Sequence, residues 1–144
     1  MLFKIDSPLT ESEEELVHRV IGCAITVHRE LGPGFKESIY EKALCLEFDA
    51  SGLKFESEKK IAVKYKQWEI PGQRVDLVVE DLVLVEVKSV RRLRELHSAQ
   101  VRSYLKTMRL RIGLLLNFNS ETMRAGTKRV VMSPRRADRA PEQP

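Results

Sequence analysis

The stretch Asp76-Leu-Val-Val-Glu-Asp-Leu-Val-Leu-Val-Glu86-Val-Lys88 decides how the chain is read. Two apolar segments flank an acidic pair, the pattern of a β-hairpin with buried strands. Strand side chains alternate with a period of two, so Glu86 and Lys88 project from one face. An apolar sheet gains nothing from a buried carboxylate beside a buried ammonium unless they pair or hold something. Asp76 joins them in only one register. If the turn spans Glu80-Asp81-Leu82, Asp76 lies opposite Glu86, with Cβ atoms about 4.5–5.5 Å apart. A two-residue turn at Glu80-Asp81 pairs Asp76 with Val85 and sends the two acids to opposite faces. In the first register the carboxylates form a hard-oxygen site suited to Mg²⁺, and the lysine beside them can bear on a phosphate. In the bland alternative the charges are solvated cross-strand pairs that add little.

On the N-terminal side, Thr10 and Glu13 form a capping-box pattern, with Glu11, Glu14 and Glu15 favouring the positive end of a helix dipole. Leu16, Val20, Cys23, Val27 and Leu31 trace one helical stripe, and Gly32-Pro33-Gly34 ends it. A second helix is expected to run to Ser51-Gly52. Phe55 to Tyr65 reads as a strand, and Gln67 to Gly72, with its Pro-Gly, as a turn or short connecting strand. Beyond the hairpin, Arg91 to about Met108 reads as a third helix. Ile112 to Phe118 reads as a strand buried on both faces, and Lys128 to Met132 as a last short strand. A helix crossing from strand to strand implies a parallel pairing. The expected fold is therefore α/β, a mixed central sheet flanked by helices. Residues 1–132 are expected to form one domain, followed by a basic tail over 133–144 that is expected to be disordered.

The chain has 144 residues, enough for a proper core, and 42% hydrophobic and 32% charged residues describe an ordinary soluble protein. A net charge of +4 suits a polyanionic partner without requiring one. No apolar run approaches the roughly 20 residues of a membrane span, and the N-terminus has no signal-peptide pattern. Cys23 and Cys45 are unpaired small hydrophobes, so the expected location is a reducing cytoplasm.

Polar residues recur on the helices beside the hairpin. Glu37 and Tyr40 are three apart in Gly34-Phe-Lys-Glu37-Ser-Ile-Tyr40, and His97, Gln100 and Tyr104 fall on one face of the third helix. Arg91, Arg92, Arg94 and Arg102, with Lys88, Lys106, Arg109 and Arg111, form a field that attracts phosphates without reading sequence. Taken singly, each has an ordinary reading: half-buried aromatics, a helix cap, a solvated face.

Taken together, these segments resemble the GxxExxY family, named for the motif present here as Gly34-x-x-Glu37-x-x-Tyr40, and assigned to the PD-(D/E)XK nuclease superfamily. The likeness extends through Val27 to Phe35, Arg74-Val-Asp76, Glu86-Val-Lys88, His97 to Leu105 and Gly113 to Phe118. It implies a PD-(D/E)XK, restriction-endonuclease-like core and a Mg²⁺-dependent nuclease, with Mn²⁺ as substitute. Asp76 and Glu86 would hold the metal, and Lys88 would act on the phosphate or the attacking water. The superfamily branch resembling RecB and phage exonucleases adds a helix acid and a Q-x-x-x-Y motif, which fall on Glu37, as ligand or support, and on Gln100 and Tyr104. Tyr40 and His97 would be accessory. Arg91, Arg92, Arg94 and Arg102 would bind the nucleic acid, DNA before RNA. A homodimer is compatible, since related nucleases often pair active sites. The alternative is a nucleic-acid-binding or partner-binding module that kept the fold without turnover.

Overall fold

A computed structural model describes residues 8–133. The elements are α1 (Glu11–Leu31), α2 (Glu37–Ala50), β1 (Phe55–Tyr65), β2 (Trp68–Val79), β3 (Val83–Lys88), α3 (Glu95–Met108), β4 (Ile112–Asn117), α4 (Met123–Gly126) and β5 (Thr127–Val131). The expected basic tail lies outside the described residues except for Ser133.

Helix α1 starts where the capping box places it. The Thr10 hydroxyl accepts from the Glu13 N–H at 3.2 Å, and the Thr10 N–H donates to the Glu13 carboxylate at 2.9 Å. It stops at Gly32, whose φ of +67° a glycine adopts without penalty. The five strands are ordered β1-β2-β3-β4-β5. Only β3 and β4 run parallel, joined through α3 as the crossover requires.

Two cores cover the sheet. Val17, Val20, Tyr40, Leu44 and Phe48 of α1 and α2 pack with Val83, Val85, Leu114 and Leu116 on one face. Val101, Tyr104 and Leu105 of α3 pack with Val78, Leu84 and Leu115 on the other. Every residue of β4 is buried, as its unbroken apolar run demands.

The alternation of faces breaks beside the hairpin. Phe55, Leu77 and Val79 belong with the α1–α2 core, whereas Ile61 and Val75 belong with the α3 core. All five have odd numbers, so an unbroken period of two would keep each strand's set on one face. The reversal falls between the pairs Ser57↔Leu77 and Lys59↔Val75, at Glu58 and Asp76. Glu58 has a φ of +52°, a left-handed conformation unusual for a residue other than glycine, and this resets the pleat.

Three local expectations change. The Pro71-Gly72 pair is a bulge within a twelve-residue β2, since two steps along β1 from Ile61 to Val63 match three along β2 from Gln73 to Ile70. Proline is tolerated there because β3 pairs with β2 only over Leu77–Val79. Helix α3 begins at Glu95 rather than Arg91, capped by backbone and side-chain bonds between Arg94 and His97. The four-residue α4, capped by Thr122, carries too short a pattern to be read from sequence.

Helix α3 packs closest to the sheet at Gly113. A Cβ there would come within 2.5 Å of Val101 Cγ1 and 3.2 Å of Leu105 Cδ1. We expect Gly113→Val to destabilise the protein by about 1–3 kcal/mol, the usual cost of overpacking. Urea unfolding measures this, and an unchanged midpoint would refute the close approach.

Candidate metal centre

The β2–β3 connection is the three-residue turn Glu80-Asp81-Leu82, with pairs Val79↔Val83, Val78↔Leu84 and Leu77↔Val85. Glu80 and Asp81 both take positive φ, and the turn is tied down by Glu80 N–H to Lys54 O and Lys54 N–H to the Glu80 carboxylate. The next step in this register sets Asp76 opposite Glu86. There the carboxylates take over the strands' amide protons. The Asp76 N–H donates to Glu86 Oε1 at 3.1 Å, and the Val87 N–H donates to Asp76 Oδ2 at 2.8 Å. Glu86 is only 5% exposed, a buried acid in a strand of valines and leucine.

Lys88 follows on the same face and donates to Gln100 Oε1 of α3 at 3.2 Å. One turn further along α3, the Tyr104 hydroxyl accepts from Gln73 Nε2 at 3.0 Å. Asp76, Glu86, Lys88, Gln100 and Tyr104 are thus brought together by one sheet face and one helix.

Two acids that sequence reasoning did not single out converge with Asp76, in a group that does not include Glu86. Glu41 of α2 and Glu58 of β1 each place a carboxylate oxygen within 4.8 Å of the other and of Asp76. Glu58 follows from register, since it lies opposite Asp76 between Ser57↔Leu77 and Lys59↔Val75. Glu41 lies one helical turn past Glu37, so the spacing i, i+4 was a usable signal. Nothing in β1 alone distinguishes Glu58 from its neighbours Glu56, Lys59 and Lys60, because its role depends on the pleat reversal.

The remaining expected residues occupy the periphery. Glu37 is exposed and accepts from the Ser89 N–H at 3.3 Å, while its charge adds to the field on Asp76 and Glu86. Tyr40 is fully buried, stacked on Phe118 at 4.6 Å between ring centres. Its hydroxyl donates to Gly32 O at 2.5 Å and accepts from the Phe35 N–H at 3.1 Å, so it holds the turn leading to Glu37. His97 Nδ1 accepts from the Arg94 N–H at 2.9 Å and serves α3 as a cap. Arg91, Arg92 and Arg94 are exposed on the segment between Lys88 and α3, whereas Arg102 pairs with Glu95 at 2.8 Å. That segment is anchored by buried Asn117, which accepts from the Val90 N–H at 3.0 Å and donates to Val90 O at 2.9 Å. Asn117 pairs with Lys88 in the β3–β4 ladder, an amide in an otherwise apolar strand that supports the lysine's segment.

The electrostatics are those of acids short of positive charge. Burial, then hydrogen bonding to Glu58, then the charges of Asp76, Glu58 and Glu86 push Glu41 from 4.5 up to about 8. Burial and the charge of Asp76 push Glu86 up to about 7, against the opposing pull of the Asp76 N–H and Lys88. Asp76 is raised by burial in spite of the Val87 N–H. Burial and Glu86 also raise Tyr104. One oxygen of Glu41 is buried with no hydrogen-bond partner, an acceptor that a bound cation would satisfy. An all-carboxylate donor set suits Mg²⁺ or Mn²⁺ rather than a soft metal.

The sign of the pH dependence follows. A carboxyl group whose folded pKa is raised contributes stability that is complete below its unfolded value and lost as pH rises through the folded value. For Glu86 and Glu41 this window runs from about 4.5 to about 8. We expect the thermal midpoint of the metal-free protein, held in EDTA, to fall between pH 5 and pH 9. Glu41→Gln, Glu86→Gln should flatten that fall. An identical slope in parent and variant would show that these acids do not carry it.

None of the helices among the described residues is long and apolar enough to cross a membrane. No curated protein and no solved structure gives a significant match to the chain. A family model described as the PD-(D/E)XK nuclease superfamily matches residues 14–130, which run from the first turn of α1 to β5 and include all the acids above. With its mixed five-stranded sheet, its Asp and Glu on adjacent strands and its Lys two residues on, the chain belongs to the PD-(D/E)XK nuclease superfamily.

Proposed function

We propose that the protein is a divalent-cation-dependent nuclease that hydrolyses phosphodiester bonds of nucleic acid. One observation carries this reading: Asp76 and Glu86 each accept an amide proton from the neighbouring strand, with Lys88 two residues along on the same face, and burial raises both carboxyls above their ordinary range. Asp76 and Glu86 would hold Mg²⁺ or Mn²⁺, with Glu41 and Glu58 beside Asp76 as further oxygen donors. A cation held there would supply charge neutralisation at the phosphate and make a bound water more acidic.

The chain's own groups supply the rest. Lys88, oriented by Gln100, presents its ammonium to a phosphate oxygen or to the attacking water. Gln73 and Tyr104 brace the α3 side of the site, so the lysine and the acids keep a fixed spacing. Arg91, Arg92 and Arg94, exposed just beyond Lys88, draw in the polyanion through charge alone. Such contacts position a backbone and do not read its bases.

Incubation with single-stranded, duplex and branched DNA and with RNA, in Mn²⁺ or in EDTA, tests the activity. EDTA-sensitive cleavage is expected, and Lys88→Ala should reduce it by roughly 10²–10³-fold, the scale for loss of one preorganised donor, with the circular dichroism spectrum unchanged. Cleavage that survives this substitution would place the chemistry elsewhere. Titration calorimetry should show Mn²⁺ binding to the parent and none to Asp76→Ala, Glu86→Ala. A parent that binds no metal defeats the proposal, and metal binding without cleavage favours a module that has kept the fold alone.

A further inference from the structure

Past the metal centre, β1 and β2 leave the body of the protein. From Lys59↔Val75 to Tyr65↔Trp68 they pair only with each other, because β3 reaches no further than Leu77. One face of this arm is apolar and open to solvent. Val63 is 40% exposed, Tyr65 56%, Trp68 56% and Ile70 51%. Val63↔Ile70 and Tyr65↔Trp68 are cross-strand partners, so the four share one face. Along β1 that face is continuous with Ile61, which packs against the α3 core. The arm therefore extends the side of the sheet that carries Asp76, Glu86 and Lys88.

The arm is also strongly cationic. Residues 59–74 contain Lys59, Lys60, Lys64, Lys66 and Arg74 against the single acid Glu69. The Lys66 ammonium lies 5.4 Å from the centre of the Tyr65 ring. Between the arm and α3 runs a cavity of about 350 Å³ lined by Val63, Lys64, Ser103, Lys106, Thr107 and Arg109. The same helix face reaches back through Tyr104 to Gln100 and hence to Lys88. Two copies pairing through this face would oppose like charges, which disfavours a homodimer there. Exposed aromatic rings set among lysines match a strand of unpaired bases joined by phosphates.

We propose that the outer face of the β1–β2 arm is a stacking platform for single-stranded nucleic acid. Bases lie on Tyr65 and Trp68, and Lys64, Lys66, Lys106 and Arg109 attend the phosphates. The strand then follows the groove beside α3 to the metal centre, a step that rests on the nuclease reading above. The platform itself does not. Trp68 is eight residues along β2 from Asp76, roughly 25 Å at about 3.3 Å per residue, so a ligand of several nucleotides is needed to touch both.

Trp68 is the only tryptophan of the chain, so its fluorescence reports on the platform alone. A labelled twelve-nucleotide single strand, a dinucleotide and a twelve-pair duplex are titrated in EDTA, following Trp68 emission and oligonucleotide anisotropy. The single strand should quench Trp68 saturably and bind more tightly than the dinucleotide or the duplex. Tyr65→Ala and Trp68→Ala, both exposed positions, should each weaken its binding by roughly 5–150-fold, as expected for loss of a stacked base. Unchanged Trp68 emission, or variants that bind as well as the parent, would overturn the proposal. So would sedimentation showing a dimer that the Tyr65→Ala, Trp68→Ala protein cannot form. Cleavage in Mn²⁺ with no Trp68 response sinks the platform and spares the nuclease, whereas quenching in EDTA without any cleavage does the reverse.

Discussion

At one step of the β2–β3 ladder, side chains replace backbone as hydrogen-bond acceptors, and the site depends on that substitution. Glu86 takes the Asp76 N–H and Asp76 takes the Val87 N–H. The exchange satisfies two buried amide protons. It also ties both carboxylates to the strand backbone. Adjacent burial and like charge then make the acids costly to ionise together. Such a site is poor as a structural element and well suited to holding a cation.

Much of the surrounding structure keeps this point in place. The turn at Glu80-Asp81-Leu82 sets the register, and its anchoring to Lys54 prevents a slip that would send one acid to the opposite face. Asn117 holds the segment after Lys88. Tyr40, locked between Phe118 and the turn at Gly32–Phe35, fixes the start of α2 and so the reach of Glu37 and Glu41. The left-handed Glu58 is the backbone outlier nearest the acids, and it turns an edge strand's glutamate toward Asp76. Strained conformations of this kind persist where the surroundings over-determine them.

Capping, periodicity and turn chemistry are local, so they could be read directly. Thr10 and Glu13 at the start of α1, the stop at Gly32-Pro33-Gly34, the apolar run of β4 and the helix between β3 and β4 follow from interactions within a few residues. The same holds for Glu86 and Lys88, whose shared face is set by the period of a strand. Gln100 and Tyr104 share a helix face for the equivalent reason. Pro71-Gly72 was harder, because a turn and a bulge use the same residues and differ only in what the neighbouring strand does.

The sequence alone thus determined the order of the elements other than the four-residue α4, the mixed sheet and the shared face of Glu86 and Lys88, which rest on short-range periodicity and the crossover between strands. It left open whether Asp76 would face them, since two turn lengths fit the same residues; the three-residue turn seated on Lys54 decided it. Only the tertiary structure brought Glu41 and Glu58 to Asp76. Their meeting depends on how α2 packs and on a pleat reversal at one left-handed residue. The exposure of Tyr65 and Trp68 likewise reflects where β3 stops pairing, which is a property of the folded sheet and not of either strand.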